Sequence, residues 1–176
     1  MDAIDRLLSI EAIRQLAYRY AWATDSRDLD ALVSLFIDDV QVGRDRRGRE
    51  ALRADFESQL RRIGISILNV GNHIIDFEDD DHARGIVYCR GEIQDGPRWI
   101  VQAILYQDEY ERRETDWYFV RRKHLLWYGA EAGENPLDLP PANWPKNHKG
   151  RGTLPESLAT WRAFWASPAE DSIEKP

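Results

Sequence analysis

Along the first third of the chain apolar residues recur every three to four positions, and from Ile65 onward the spacing shortens to two. The first pattern is that of amphipathic helices, the second that of strands with one buried face. Ser9 is placed to cap a helix carrying Ile10, Ile13, Leu16, Ala17, Tyr20 and Ala21 and ending near Thr24. Asp28 caps a short second helix with Leu29, Leu32, Val33, Leu35 and Phe36 on one face, ended by Asp38-Asp39. Val40 to Gly43 reads as a short strand. Leu52, Phe56 and Leu60 then mark a third helix from Arg49 to Arg62, stopped by Gly64.

Four long strands are predicted next: Ile65 to Glu78, Arg84 to Gln94, Arg98 to Arg112 and Trp117 to Tyr128. The turns between them carry Asp79-Asp80-Asp81-His82, Asp95-Gly96-Pro97 and Glu114-Thr115-Asp116. Helices gathered before strands argue for an α+β fold, a helical layer on a curved antiparallel sheet, rather than a parallel βαβ sheet. From Gly129 the texture changes to Pro136, Pro140-Pro141 and Pro145 interleaved with Trp144, Trp161, Phe164 and Trp165. The domain is therefore read as residues 1–130, followed by a Pro/Trp-rich extension over 131–176. Exposed tryptophan is unfavourable, so this extension either wraps its own domain, covers a pocket mouth or docks on a neighbouring subunit. Leu154 to Phe164 is read as one short helix in it, with fraying from Ser167.

A chain of 176 residues with 43% hydrophobic and 31% charged positions fits one compact domain with a real core. The net charge of -7 gives no reason to expect a nucleic-acid or anionic-membrane partner. The basic runs Arg44-Asp45-Arg46-Arg47, Arg61-Arg62 and Arg121-Arg122-Lys123 are short and flanked by acids, as on a solvated face or in structural ion pairs. A single cysteine, Cys89, excludes an internal disulfide and fits a reducing compartment. With no signal-peptide pattern at Met1 and no apolar run of membrane-spanning length, a cytoplasmic location is expected.

Of the four histidines, His82 falls in an acidic turn and His148 in the extension. No metal-ligand spacing, dinucleotide or phosphate-loop glycine pattern, or serine elbow is present, so neither a metal nor a cofactor is expected. His73 lies in mid-strand, in phase with Ile65, Ile67, Asn69, Gly71, Ile75 and Phe77, on a largely apolar face. Such a histidine is ordinarily a hydrogen-bonded core residue unless it has a partner. Asp25 ends the first helix, where a carboxylate opposes the helix dipole, so helix stability does not explain it. A carboxylate reaching the His73 imidazole would fix its tautomer and make it a general base. Tyr20, on the same helix, is either a donor to a substrate carbonyl or departing hydroxyl, or an aromatic covering the core. Tyr88 and Arg90 share a strand face, as do Tyr106 and Tyr110, with neither face assigned inward. On the last strand Arg121 and Trp127 share one face, and Arg122, His124 and Tyr128 the other. A sheet-surface or subunit-contact role is favoured for His124 over a pocket role.

The run Tyr20-Ala-Trp-Ala-Thr-Asp25-Ser-Arg-Asp28-Leu-Asp30, with Leu35-Phe36 and Asp38-Asp39-Val40, resembles the opening of the SnoaL-like family in the nuclear transport factor 2-like superfamily. Asn72-His73-Ile-Ile-Asp76 resembles the histidine strand of its scytalone dehydratase and hexachlorocyclohexane dehydrochlorinase branches, and Tyr106-Gln-Asp108-Glu-Tyr110-Glu-Arg-Arg113 followed by Trp117 is similar to the latter. The resemblance covers roughly residues 5 to 128 and implies a cone-shaped sheet closed by the helices, with Asp25 and His73 as a catalytic dyad. Tyr20 stands where the dehydrochlorinase carries a lysine, removing a cation that would assist a leaving halide. The region from Gln94 to Trp99 lacks the second histidine of scytalone dehydratase.

These readings point to a cofactor-independent lyase or isomerase, foremost a dehydratase acting on a cyclic or polyketide-like small molecule. Asp25, His73 and Tyr20 are its expected catalytic residues. Trp22, Tyr88, Arg90, Tyr106, Arg121 and Trp127 are its expected substrate-binding residues. A non-catalytic ligand- or protein-binding member of the fold and a polyketide cyclase are the alternatives. A homo-oligomer, dimer or trimer, is expected.

Overall fold

The computed structural model describes residues 1–134, 138–153 and 159. The readings placed on Pro136, Trp161, Phe164, Trp165 and the helix from Leu154 lie outside or almost wholly outside the described residues. The first helix, α1 (Ala3–Ser26), starts well before Ser9, because Asp2 caps it by accepting from the Asp5 amide at 2.8 Å. Ser9 is instead buried within it. The helix ends at Arg27, whose left-handed φ of 60° turns the chain back. Asp28 then caps α2 (Leu29–Ser34) through the Ala31 amide, as predicted.

A hairpin of two-residue strands, β1 (Gln41–Val42) and β2 (Arg46–Arg47), precedes α3 (Arg49–Leu60). The long strands follow as β3 (Ser66–Phe77), β4 (His82–Asp95), β5 (Arg98–Arg113) and β6 (Asp116–Glu131), with a short β7 (Gly150–Arg151). They form one antiparallel sheet in the order β3-β4-β5-β6-β7, open at both edges rather than closed into a barrel. Among the described residues no helix is long and apolar enough to cross a membrane.

The inner face of the sheet holds the core. Ala17, fully buried, lets α1 approach Val87, Cys89, Ile104, Tyr106 and Leu126 closely. Ile13 joins Phe36, Tyr110, Trp117 and Phe119 in a second, more aromatic cluster. Each fully buried apolar side chain contributes about 1.5–3 kcal/mol.

Three bulges decide which side chains face this core. Between Val70, opposite Cys89, and His73, opposite Val87, Gly71 and Asn72 together face only Tyr88. The extra residue reverses the alternation. His73 therefore shares its inward face with Ile75 and Phe77, as expected, but upstream with Ser66, Leu68 and Val70. The predicted companions Ile65, Ile67 and Asn69 are exposed. On β6, Val120 and Trp127 are the extra residues of the other two bulges.

The described part of the extension packs on its own domain. β7 pairs with Tyr128 and Gly129, the Gly152 and Thr153 amides donate to the carbonyls of Trp127 and Leu126 at 3.0 Å each, and Arg151 donates to Pro140 at 2.8 Å. Gly129 is required here, since a Cβ on it would lie 2.1 Å from the His148 carbonyl oxygen.

Candidate active site

Strand register sets the inward side chains in rows. One row is His73, Val87, Tyr106 and His124; the next is Ile75, Gly85, Asp108 and Arg122; a third is Phe77, Ala83, Tyr110 and Phe119. Two of these rows place charge and imidazole on an otherwise apolar surface.

Asp108 and Arg122 form a bidentate ion pair, Nε to Oδ1 at 2.9 Å and Nη2 to Oδ2 at 2.7 Å, with side chains 0% and 3% exposed. The guanidinium also sits over the rings of Tyr20, Tyr106 and Phe119 at 4.3–4.4 Å. Burial works against the Arg122 charge, but the adjacent Asp108 carboxylate outweighs it and holds the guanidinium above its ordinary pKa.

Tyr110 links this pair to His73. Its hydroxyl donates to Asp108 Oδ2 at 2.8 Å and lies 3.0 Å from His73 Nε2. A phenol has one proton, and a carboxylate beside a guanidinium is acceptor-only, so the Tyr110 oxygen accepts from the imidazole. His73 is thereby the Nε2–H tautomer, and Nδ1 carries the lone pair. Nδ1 is buried and has no hydrogen-bond partner. Burial pushes the His73 pKa down to about 4, with Asp108 opposing and Arg122 and Arg14 reinforcing the shift. Burial, and then the Asp108 charge, raises Tyr110 well above the usual phenol range. Gly85 makes room for the contact: a Cβ there would fall 2.9 Å from the Tyr110 hydroxyl and 3.1 Å from His73 Nε2.

The expected hydrogen bond between Asp25 and His73 is not made. Asp25 accepts from Ser66 Oγ at 2.9 Å and from the Leu68 amide at 2.8 Å, satisfying both carboxylate oxygens at the start of β3. Arg27 completes this clasp by donating to Ser66 Oγ at 2.7 Å, to the Thr24 carbonyl and to the Gly64 carbonyl. Two donors presented by the strand itself, one a backbone amide that needs a partner, hold the carboxylate where it stands.

A cleft of about 810 Å³ opens between α1, the loop after α2, α3, β6 and the extension. Its lining includes Tyr20, Phe56, Arg122, His124 and Trp144. Tyr20 thus reaches both the core and the cleft, with its ring edge-on to Phe36, Phe56, Tyr106 and Phe119. His73 is absent from the lining. His124 faces inward, not to the sheet surface, and its ring lies 4.4 Å from that of Trp144. Burial, with Arg122 and His148, pushes the His124 pKa down to about 3.

The substrate-binding expectations divide. Tyr106 is buried on the inner face, beside Arg122. Trp22 is 74% exposed on the solvent side of α1. Tyr88, Arg90 and Trp127 lie on the outer face of the sheet, with Tyr88 and Trp127 edge-on at 5.1 Å. Arg121 also points outward, opposite Glu109, and reaches only the cleft rim. Strand alternation pairs these residues correctly but cannot say which side meets the helices.

Cys89 is buried, and burial pushes its thiol up to about 11, which fits inert packing. No group of three or more His, Cys, Asp or Glu side chains among the described residues is placed to hold a metal ion. Sequence reasoning missed the Asp108–Arg122 pair. Its signal was available: a carboxylate in phase with Tyr106 and Tyr110 on an apolar stripe needs a buried cation, and Arg122 lies on the facing strand.

The profile of the SnoaL-like domain matches residues 5–123. Gamma-hexachlorocyclohexane dehydrochlorinase from Sphingobium indicum is 29% identical over 136 residues, spanning 73% of this chain and 86% of its own. The crystal structure of a type 3 hexachlorocyclohexane dehydrochlorinase from Novosphingobium barchaimii superposes with a TM-score of 0.67 at 26% identity, over 76% of this chain and 97% of that one. A scytalone dehydratase-like protein from Novosphingobium aromaticivorans gives a TM-score of 0.66 at 18% identity, over 76% and 94% of the two chains, and speaks for the fold alone.

Proposed function

The chain belongs to the SnoaL-like domain family, and from that premise we propose that it is a lyase that dehydrates a small cyclic or polyketide-like substrate with His73 as general base. The relatives named for dehydrochlorination support a lyase-type reaction, and a cleft of about 810 Å³ suits a small molecule. Tyr20 in place of a cation makes hydroxide, rather than halide, the leaving group in this proposal.

The observation that carries it is the unpartnered Nδ1 of His73, in a ring whose other nitrogen is committed to Tyr110. A buried acceptor without a partner is costly, and a catalytic role is one recognised reason for keeping it. In the proposed reaction Nδ1 removes the proton from the carbon next to a carbonyl. The electron pair moves to the adjacent carbon as the C–O bond of the β-hydroxyl breaks, and the imidazolium returns the proton to the departing hydroxide as water. Ionised Asp108, acting through Tyr110, favours the imidazolium that forms between these steps. Tyr110 and Asp108 take the orienting part first expected of Asp25, and Tyr20 donates to the substrate oxygen from the cleft wall.

Ligand binding without turnover is favoured by one observation, that His73 does not line the cleft. Enone formation from a panel of cyclic β-hydroxy ketones, followed by ultraviolet absorbance, separates the two. The dehydratase reading requires turnover by the wild type that His73→Gln abolishes. Tight binding of panel members without enone in either protein rejects it in favour of the binding module.

A further inference from the structure

His124 and Trp144 lie at and beyond the end of the family match at residue 123, yet both line the cleft. Trp144 is carried there by the extension, whose fold-back is fixed by the Ala142 amide on the Arg151 carbonyl at 2.6 Å and by the pairing of β7 with β6. Its ring lies 4.4 Å from that of His124, which also meets Tyr106 edge-on at 5.2 Å. The imidazole is held in one orientation by aromatic contacts, while its Nε2 is buried with no hydrogen-bond partner. Tyr20 and Phe56 stand elsewhere in the same cleft. The cleft thus offers aromatic surface to a flat ring, and an imidazole whose buried Nε2 still lacks a hydrogen bond stands in its wall.

We propose that His124 and Trp144 form a recognition corner for a flat, oxygen-bearing ring, with Trp144 packing on the ring face and His124 hydrogen-bonding its oxygen substituent. This deepens the dehydratase reading by naming the part of the site that selects the substrate. Half of the specificity so assigned, that of Trp144, belongs to the extension rather than to the domain. A ligand with a puckered saturated ring loses the face contact, and one without oxygen leaves the imidazole unpaired in an enclosed site. Either defect is expected to weaken binding about tenfold.

Isothermal titration of the full chain with 2-naphthol, naphthalene and trans-2-decalol tests this without requiring turnover, so a failed dehydratase reading and a failed recognition corner give different results. The wild type is expected to bind 2-naphthol about tenfold more tightly than either analogue. His124→Leu removes the preference over naphthalene alone, and Trp144→Leu removes the preference over decalol alone. Trp144→Phe, which keeps a flat ring, restores the latter, and matching thermal transitions show that each variant is folded. Equal affinity of the wild type for the three probes, or preferences unchanged in His124→Leu and Trp144→Leu, overturns the proposal.

Discussion

Removing either member of the buried Asp108–Arg122 pair strands a charge with almost no exposure to water. With the side chains 0% and 3% exposed, there is little solvent screening to soften the loss. Asp108→Leu leaves the guanidinium unpaired and also takes the acceptor from the Tyr110 hydroxyl. Breaking a buried pair in this way costs about 3–5 kcal/mol, a large share of the ~5–15 kcal/mol that stabilises a domain. At about 2–4 °C per kcal/mol for a chain of this size, the melting temperature falls by roughly 6–20 °C. Arg122→Met carries a similar cost from the carboxylate side. The Asp108→Leu/Arg122→Met double variant keeps volume and removes both charges, so it recovers most of the loss. Chemical denaturation of all four proteins gives the coupling energy directly. Additive single effects, or a loss below about 1 kcal/mol in Asp108→Leu, would refute the claim that the pair is buried and mutually dependent.

Three further outcomes follow from the geometry. Gly85→Ala forces a Cβ against Tyr110 and His73, and is expected to cost about 1–3 kcal/mol in thermal unfolding while shifting the His73 ring resonances in NMR spectra. Asp25→Asn weakens the clasp between α1 and β3 by about 1–3 kcal/mol in denaturant titration, and leaves those resonances in place because Asp25 does not touch the ring. His73 and His124 have folded pKa values of about 4 and about 3, below the unfolded value of 6.5. The unfolded chain therefore binds more protons between those limits, and stability falls as pH drops from about 6.5 toward 4. His124→Gln flattens part of that slope in unfolding titrations run across this pH range.

The element order was legible because it rests on periodicity and capping, which are local: the Asp28 cap and the turn at Gly96 needed no tertiary information. The site was legible only in part. A bulge adds one residue without changing composition, so alternation carried through Gly71-Asn72 gave His73 the wrong upstream neighbours. The orientation of Tyr88 and Arg90 depended on which face α1 covers, a fact of packing rather than pattern. Helix stability does not explain Asp25, but its partners, Ser66 and the Leu68 amide, lie beyond α2, the β1–β2 hairpin and α3. The two-residue β7 and the placement of Trp144 arise only once the extension folds back on β6.

Loss of deuterium to solvent from cyclic β-hydroxy ketones labelled at the carbon next to the carbonyl, compared between the wild type and His73→Gln, reports the proton transfer itself. The rate of loss with the wild type should fall by about 10²–10⁴-fold in the variant if the Nδ1 lone pair is the base. Equal rates of loss with the two proteins would show that the imidazole held by Tyr110 takes no part in moving the proton.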